Sequence, residues 1–561
     1  MKRIFNSDLV IVLAGEAGQG IQSIESTMAL LLKRNGYYVF SASEFMSRVR
    51  GGSNSTELRI SSKPVASYSD RIDILIPLHN GSIKHLKKRI TPDTIVIGDA
   101  SKIEYDGIRD IQFNKIALEA GNVLYSNTVA AGVICGLLNL DPKVCESFIY
   151  QLFASKSPEI GEKNADALRR GYSAGSQFTD LEIIIEHNES VKNDILLSGA
   201  ESVALGALAG GCNYVCGYPM SPSTSVLEKM AFYSNKFDII VEQVEDEVGV
   251  VNMALGAWYA GARALVTTSG GGFALMCEGI SLCGMIESPL IIHLAQRPGP
   301  ATGLPTRTEQ GDLNLALYAG HGDFPRIILA PGTLDDGYML TKAAFELSDK
   351  YQVPVFILTD QYFVDSRYNT APFTVTRLPE NHIVETDDAY KRFALTETGI
   401  SPRGIPGYGS GVVCADSDEH DESGHITEDL ELRVKMVDKR MKKEAAIHDA
   451  VIEPKLIGKV SCSTLVICWG STFHIVNDAV RSLDNDDIGV LHYSWIFPLP
   501  KSTASYLGNA SKVIVVENNG SAQFAKLIQR ETGYVVTNTI LKYDGLPFTV
   551  EEIAQKIRSM I

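Results

Sequence analysis

The chain is predicted to be an α/β protein of three doubly wound domains. Three observations point there. Apolar runs of strand length recur along most of the sequence and alternate with helix-length stretches, the pattern of sheets covered by helices. Several of those runs are apolar throughout, as in parallel strands buried on both faces. The length, 561 residues, corresponds to roughly three to four domains.

Residues 1–185 form the first domain. Residues 9–14 read as a strand, 15–20 as a turn and 21–34 as a helix, with later strands at 37–41, 72–78 and 94–98. This predicts a mostly parallel sheet. Charge rises over 179–193, a linker. A second α/β domain spans 194–380, with strand-like runs at 239–241, 264–268, 290–295, 326–330 and 353–359. Residues 381–458 read as an ordered crossing segment, with an acidic cluster at 416–422 and a charged helix over 428–443. The α/β pattern returns in 459–561, with strands at 464–469, 488–492 and 513–517.

Composition excludes several classes. A net charge of −16 disfavours a nucleic-acid partner. No run approaches the roughly 18 apolar residues of a membrane span, and Lys2, Arg3 and Asp8 interrupt the start too early for a signal peptide. Nine cysteines without C-x-x-C spacing argue against a disulfide framework or a metal cluster, and a reducing cytoplasm is the expected compartment.

The candidate chemistry sits in loops after strands. Residues 296–307, Gln-Arg-Pro-Gly-Pro-Ala-Thr-Gly-Leu-Pro-Thr-Arg, place Arg297, Thr302 and Thr306 in a loop stiffened by proline. A guanidinium is a planar, always-charged fork that fits a carboxylate, so the loop reads as a clamp for a small acid. In Tyr218-Pro219-Met220-Ser221-Pro222-Ser223-Thr224, Ser221 lies between prolines that fix φ. Either a cap-and-turn or a hydroxyl ligand suits that stretch. The run from Glu242 to Glu247 holds four carboxylates and Asp246 stands among them. It reads as a solvated face, except that Glu247 leads into an apolar helix, and a buried carboxyl there is a candidate proton donor. Ser269-Gly270-Gly271-Gly272-Phe273 lets a flat group or a neighbouring subunit approach the backbone.

Residues 15–20, Gly-Glu-Ala-Gly-Gln-Gly, lie between a strand and a helix but lack the second glycine of a dinucleotide fingerprint, and no acid ends the next strand. Gly18, Gln19 and Gly20 therefore suit either a packing turn or an anion-binding turn. Arg48 and Arg50 beside Gly51-Gly52 suit either a coenzyme tail or a solvated loop. His420 and His425 among acids suggest a polar surface turn before a metal site. No G-x-S-x-G, H-E-x-x-H or Walker A sequence occurs.

In order and spacing, these strings resemble the 2-oxoacid:ferredoxin oxidoreductases, specifically the alpha subunit with its gamma domain fused in front. Residues 15–20 and 50–52 resemble the gamma domain. Residues 218–224, the VEDEVG run at 244–249, SGGGFALM at 269–276 and the loop at 296–306 resemble the thiamine-diphosphate pyrimidine-binding domain. SPRGIPG and EHDESG resemble the crossing segment, and IFPLP and VVENN a transketolase C-terminal-like domain. The resemblance implies thiamine-dependent oxidative decarboxylation of a 2-oxoacid, 2-oxoglutarate or a broad range, to acyl-CoA and CO2, with electrons passed to ferredoxin. It assigns Glu247 to the aminopyrimidine nitrogen, Arg297 and Ser221 to the substrate, with Tyr218, Thr302 and Thr306 near it. Pro219, Gly271, Gly272 and Phe273 would lie against the cofactor, and Gly18, Gln19, Gly20 and Arg50 against coenzyme A or another anion. Ser221 stands where the family has Thr, and Met220 replaces Ile. A G-D-G…N element and a cysteine set are missing from this sequence. Mg2+ and a 4Fe–4S cluster would then belong to a beta subunit, in an (αβ)2 assembly, with no metal held by this chain. A non-catalytic paralogue that scaffolds a related complex, or an indolepyruvate-type subunit, is the alternative.

Overall fold

The structure, a computed structural model, describes residues 3–5, 8–16, 18–46, 52–374 and 379–561. It divides into two units: Met1–Leu197 with Ser366–Pro372 and Thr549–Glu551, and the remainder.

The first unit is built on an eight-stranded sheet. Its central strand, Asp8–Glu16, is solvent-free over residues 9–14. Ile74–Pro77 pairs with it in parallel, as expected, and Ile95–Gly98 follows. The other side differs from a mostly parallel sheet. Ser53–Ser61 runs antiparallel to both Asp8–Glu16 and Tyr38–Glu44. No strand is expected from its polar sequence, but the polar groups find partners inside: buried Glu57 pairs with Arg89 at 2.5 Å, which makes the burial tolerable. Arg367–Thr370 adds a further antiparallel strand against Tyr38–Glu44, so a short piece within the range 194–380 belongs to the first unit. The helix Ile21–Arg34 forms as its periodicity predicts: it buries Ile21, Ile24, Met28, Leu31 and Leu32 and ends in Lys33 and Arg34, where cations suit the helix dipole.

The second unit holds two sheets. The larger runs in the order Ile240–Gln243, Tyr214–Gly217, Ala264–Thr268, Leu290–Gln296, Pro354–Asp360, Ile327–Leu329, Trp495–Phe497. The first six strands are parallel, and Trp495–Phe497 closes the edge antiparallel. Leu290–Gln296 and Pro354–Asp360 are buried at every position, which is why both read as largely apolar runs, and the buried His293 bonds to Thr267 and Thr359 on the flanking strands. The smaller sheet, of five strands, is parallel except for Lys455–Ile457. The larger sheet's strands end together at Gly217, Gln243, Thr268, Gln296 and Asp360, and a crevice at the carboxyl ends of parallel strands is where such sheets bind ligands.

The crossing segment's helix, Leu430–His448, is anchored through charge. Lys439 and Lys443 reach the buried Glu287 at 2.6 and 2.5 Å, and Arg392 donates to the Glu287 backbone carbonyl at 2.6 Å.

Candidate functional site

Asp246 sets the position of Glu247. Its Oδ1 accepts from the Gly249 N–H at 2.6 Å and so caps the helix Glu247–Tyr259. Glu242, Glu245 and Asp246 face solvent, while Glu247 is 4% exposed. Its Oε1 is buried and has no hydrogen-bond partner among the described residues. Directly opposite is Gly272, where a Cβ would fall 2.5 Å from that oxygen and 2.3 Å from Thr268 Oγ1. Only a glycine admits the carboxylate at this distance.

Arg297 is the first residue past Leu290–Gln296. Its Nη1 donates to the Ser221 carbonyl at 2.6 Å, which joins the 296–307 loop to the 218–224 turn. Partial burial lowers the guanidinium's pKa, opposed by the charge of Asp312. Ser223 Oγ donates to the Met220 carbonyl at 2.6 Å and makes no side-chain cap for Thr224–Ser234, so its hydroxyl closes the turn. Tyr218, Pro219 and Ser221 are exposed beside Arg297. Thr302 is exposed and Thr306 half-buried on the same loop.

The loop is held at its base. Gln296 Oε1 accepts from the Asp312 N–H at 3.0 Å, and its Nε2 donates to the Thr359 carbonyl at 3.1 Å. Gln310 is 1% exposed and clasps a turn far along the chain: Oε1 accepts from Asn518 N–H at 2.9 Å, Nε2 donates to the Trp469 carbonyl at 2.8 Å, and its own N–H donates to the Asn518 carbonyl at 2.7 Å.

Gly271 lies open near Ala301, and the Phe273 ring turns into the core, edge-on to Phe356 at 5.0 Å. Any contact Phe273 makes at the site is therefore through backbone. Asp312 is a residue that sequence reasoning missed, because Glu309-Gln310-Gly311-Asp312 looks like a polar loop. Burial raises its carboxyl to about 7, Glu309 adds to the shift, and Arg297 opposes it. The available signal was its place between the clamp and the buried helix Leu313–Leu317.

In the first unit, Gly18 and Gln19 line a cavity of about 520 Å3 with His79, Lys102, Phe113 and Asn127. Gly20 adopts φ 73° at the helix start, where a Cβ would strike Asn127 Nδ2 at 2.0 Å. Lys102 is paired with Asp99 at 3.4 Å and His79 with Glu16 at 3.6 Å. Arg48, Arg50 and Gly51 lie outside the described residues.

His420 departs from a polar surface turn. It is fully buried and packs on Phe393 at 3.9 Å, with Nδ1 3.0 Å from the Asp418 carbonyl oxygen. Among the described residues no three His, Cys, Asp or Glu are grouped to hold a metal, and no helix is long and apolar enough to cross a membrane.

A shielded carboxylate oxygen lacking a partner, packed against a glycine, suits a bound group whose ring nitrogen shares a proton with it. The comparisons define the same class. Residues 205–439 match the family model "Pyruvate flavodoxin/ferredoxin oxidoreductase, thiamine diP-bdg", and 10–174 match "Pyruvate ferredoxin/flavodoxin oxidoreductase". A thiamine-diphosphate-binding domain is thus present. The chain is 30% identical to the 2-oxoacid:ferredoxin oxidoreductase subunit alpha of a Sulfolobus species, over 98% of this chain and 96% of that one. It is also 30% identical to 2-oxoacid:ferredoxin oxidoreductase 1, subunit alpha, of Sulfurisphaera tokodaii, over 98% and 97%. The solved 2-oxoglutarate:ferredoxin oxidoreductase from Magnetococcus marinus, with 2-oxoglutarate, coenzyme A and succinyl-CoA bound, matches with a TM-score of 0.92 at 28% identity, covering 99% of both chains. The chain belongs to the 2-oxoacid:ferredoxin oxidoreductase alpha-subunit family.

Proposed function

We propose that this chain is the alpha subunit, gamma domain in front, of an enzyme that oxidatively decarboxylates a 2-oxoacid, 2-oxoglutarate or a broad range. The products are CO2 and acyl-CoA, with two electrons leaving to ferredoxin. The observation that carries the reading is the unpartnered Glu247 Oε1 against Gly272.

When bound, thiamine diphosphate supplies the electron sink for decarboxylation. Glu247 would hold the aminopyrimidine ring by sharing a proton with its ring nitrogen, and Gly271, Gly272, Pro219 and the Phe273 backbone are the residues that would lie against the cofactor. Arg297 grips the substrate carboxylate with the arm not spent on the Ser221 carbonyl. The hydroxyls of Ser221, Thr302 and Thr306 and the Tyr218 ring surround the substrate. The fork binds what all 2-oxoacids share, so the distal end of the pocket sets the preference among them.

The site is open to solvent at Tyr218, Thr302 and Gly271, and apolar Val248, Met253 and Leu275 are exposed on the neighbouring helices. A beta subunit carrying Mg2+, the diphosphate site and a 4Fe–4S cluster would cover that face, in an (αβ)2 assembly working in the cytoplasm. Gly18, Gln19 and Gly20 would form a coenzyme or anion turn; Arg50, expected to act with them, lies outside the described residues.

Co-expression with a beta subunit, followed by 2-oxoacid- and CoA-dependent viologen reduction, tests the reading. Activity is expected in the complex and lost in Glu247→Gln. A complex that binds no thiamine diphosphate would instead indicate a non-catalytic paralogue, and a preference for indolepyruvate an indolepyruvate-type enzyme.

A further inference from the structure

One side chain in the sheet beneath the site has no apolar reason to be there. His293 is fully buried in the middle strand of the larger sheet, between Ile292 and Leu294. An imidazole at that place must give up water at two nitrogens, which a leucine would not. Both nitrogens are satisfied. Nδ1 lies 2.9 Å from Thr267 Oγ1 on one flanking strand, and Nε2 lies 2.8 Å from Thr359 Oγ1 on the other.

These hydrogen bonds have one direction. Thr267 Oγ1 donates to the Ser223 carbonyl oxygen at 3.3 Å. A hydroxyl has a single hydrogen, so Thr267 accepts from His293 Nδ1–H. Burial lowers the imidazole's pKa to about 3, so the ring carries that one proton, and Nε2 accepts from the Thr359 hydroxyl. A chain of donors from Thr359 through His293 and Thr267 thus crosses three adjacent strands and ends in the 218–224 turn. Thr359, His293, Thr267 and Ser223 are all buried, and a saturated network in the interior rigidifies what it joins.

Both halves of the clamp return to Thr359. Its carbonyl accepts from Gln296 Nε2 at 3.1 Å, and Gln296 immediately precedes Arg297. Its hydroxyl reaches the Ser223 carbonyl through His293 and Thr267. In the same turn, the Ser221 carbonyl accepts from Arg297 Nη1 at 2.6 Å. Loop and turn are therefore referred to one threonine, and His293 is the link between them. We propose that His293 is a positioning residue for the Arg297 clamp: it holds the 218–224 turn so that the Ser221 carbonyl fixes one arm of the guanidinium and leaves the other to the carboxylate of a 2-oxoacid. This rests on Arg297 being the substrate clamp.

The test is steady-state kinetics of the alpha–beta complex, with 2-oxoglutarate, pyruvate and a branched-chain 2-oxoacid offered and the fastest one carried through. His293→Leu keeps the bulk of the side chain and frees the Thr267 hydroxyl to turn away from Ser223. Its KM for the 2-oxoacid rises on the order of tenfold, the loss falling on KM more than on kcat, and the calorimetric Kd for thiamine diphosphate stays at the native value. In an Arg297→Ala background the same substitution changes KM by less than about twofold, because the arm it aligns is gone; a purely structural role would act alike in both backgrounds. Thr267→Val breaks the chain at its next link and serves if His293→Leu does not fold. A native KM in these variants, or an equal rise with and without Arg297, overturns the inference alone. A native complex that turns over no 2-oxoacid, or an Arg297→Ala complex with the native KM, overturns the reading of the clamp as well.

Discussion

The Glu247 carboxylate lies against the α-carbon of Gly272, so close that a methyl group there would sit 2.5 Å from Oε1. The two residues come from different strand ends of one sheet, and their contact is what leaves the oxygen shielded yet unpaired.

Gly272→Ala should therefore disturb both the fold and the site. The added Cβ would meet Glu247 Oε1 and Thr268 Oγ1, both under 3.0 Å. Overpacking of this kind costs about 1–3 kcal/mol. A lowered Tm together with loss of thiamine diphosphate binding to the complex, by calorimetry, is expected. The nearby Gly271→Ala, with a Cβ meeting only Ala301 O at 4.0 Å, should leave Tm almost unchanged.

Glu247→Gln keeps the shape and removes the ionisable carboxyl. General acid–base contributions run to about 10²–10⁴-fold, so kcat should fall by that order with Tm within a few degrees of native. Slowed hydrogen–deuterium exchange at the thiazolium carbon, followed by NMR, would assign the loss to cofactor activation.

Arg297→Ala removes a charge-assisted grip worth about 1.5–3 kcal/mol, which corresponds to a KM for the 2-oxoacid raised roughly 10- to 150-fold. Arg297→Lys should recover only part of it, since an ammonium lacks the fork geometry. Equal KM values in the native and Arg297→Ala complexes would remove the clamp from the reading.

Gln310→Ala strands the Asn518 N–H and the Trp469 carbonyl in a buried setting. Each unsatisfied group costs about 1–3 kcal/mol. Denaturant melts should show that loss, and steady-state kinetics should show a rise in KM as the loop bearing Arg297 loosens.

The crossing segment gives a prediction about pH. Burial alone would raise the Glu287 carboxyl, but Lys443 and Lys439 outweigh it and bring it to about 2. Its folded pKa is below its unfolded one, so the stabilisation is present above about pH 4.5 and is lost as pH falls toward 2. Burial lowers the Lys439 ammonium to about 8 from 10.5, so for that group stability falls as pH drops from 10.5 to 8. Glu287→Ala, which leaves Lys439, Lys443 and Arg392 buried together, should cost about 3–5 kcal/mol. The triple change Glu287→Gln, Lys439→Met, Lys443→Met should restore much of it in urea melts.

Strands that bury apolar residues on both faces, such as Ala264–Thr268 and Thr464–Trp469, were legible to the residue. Ser53–Ser61 and Arg367–Thr370 were not, because their polar residues satisfy partners supplied by distant chain. The same reason hid the burial of His420, whose neighbours in sequence are acids but whose neighbour in space is Phe393.

The sequence by itself determined the order of elements, the class of fold, and the residue types at each strand end: Arg297 in a proline-bound loop, Glu247 leading an apolar helix, three glycines in a row. These depend on periodicity and local backbone preference, which act over a few residues. Only the tertiary structure decided which carboxylates would be shielded and unpaired, that His293 would link Thr267 to Thr359, and that Gln310 would be clasped by Asn518, 208 positions away. Burial and hydrogen-bond saturation are sums over everything packed around a group, and most of what surrounds His293 and Gln310 comes from other parts of the chain.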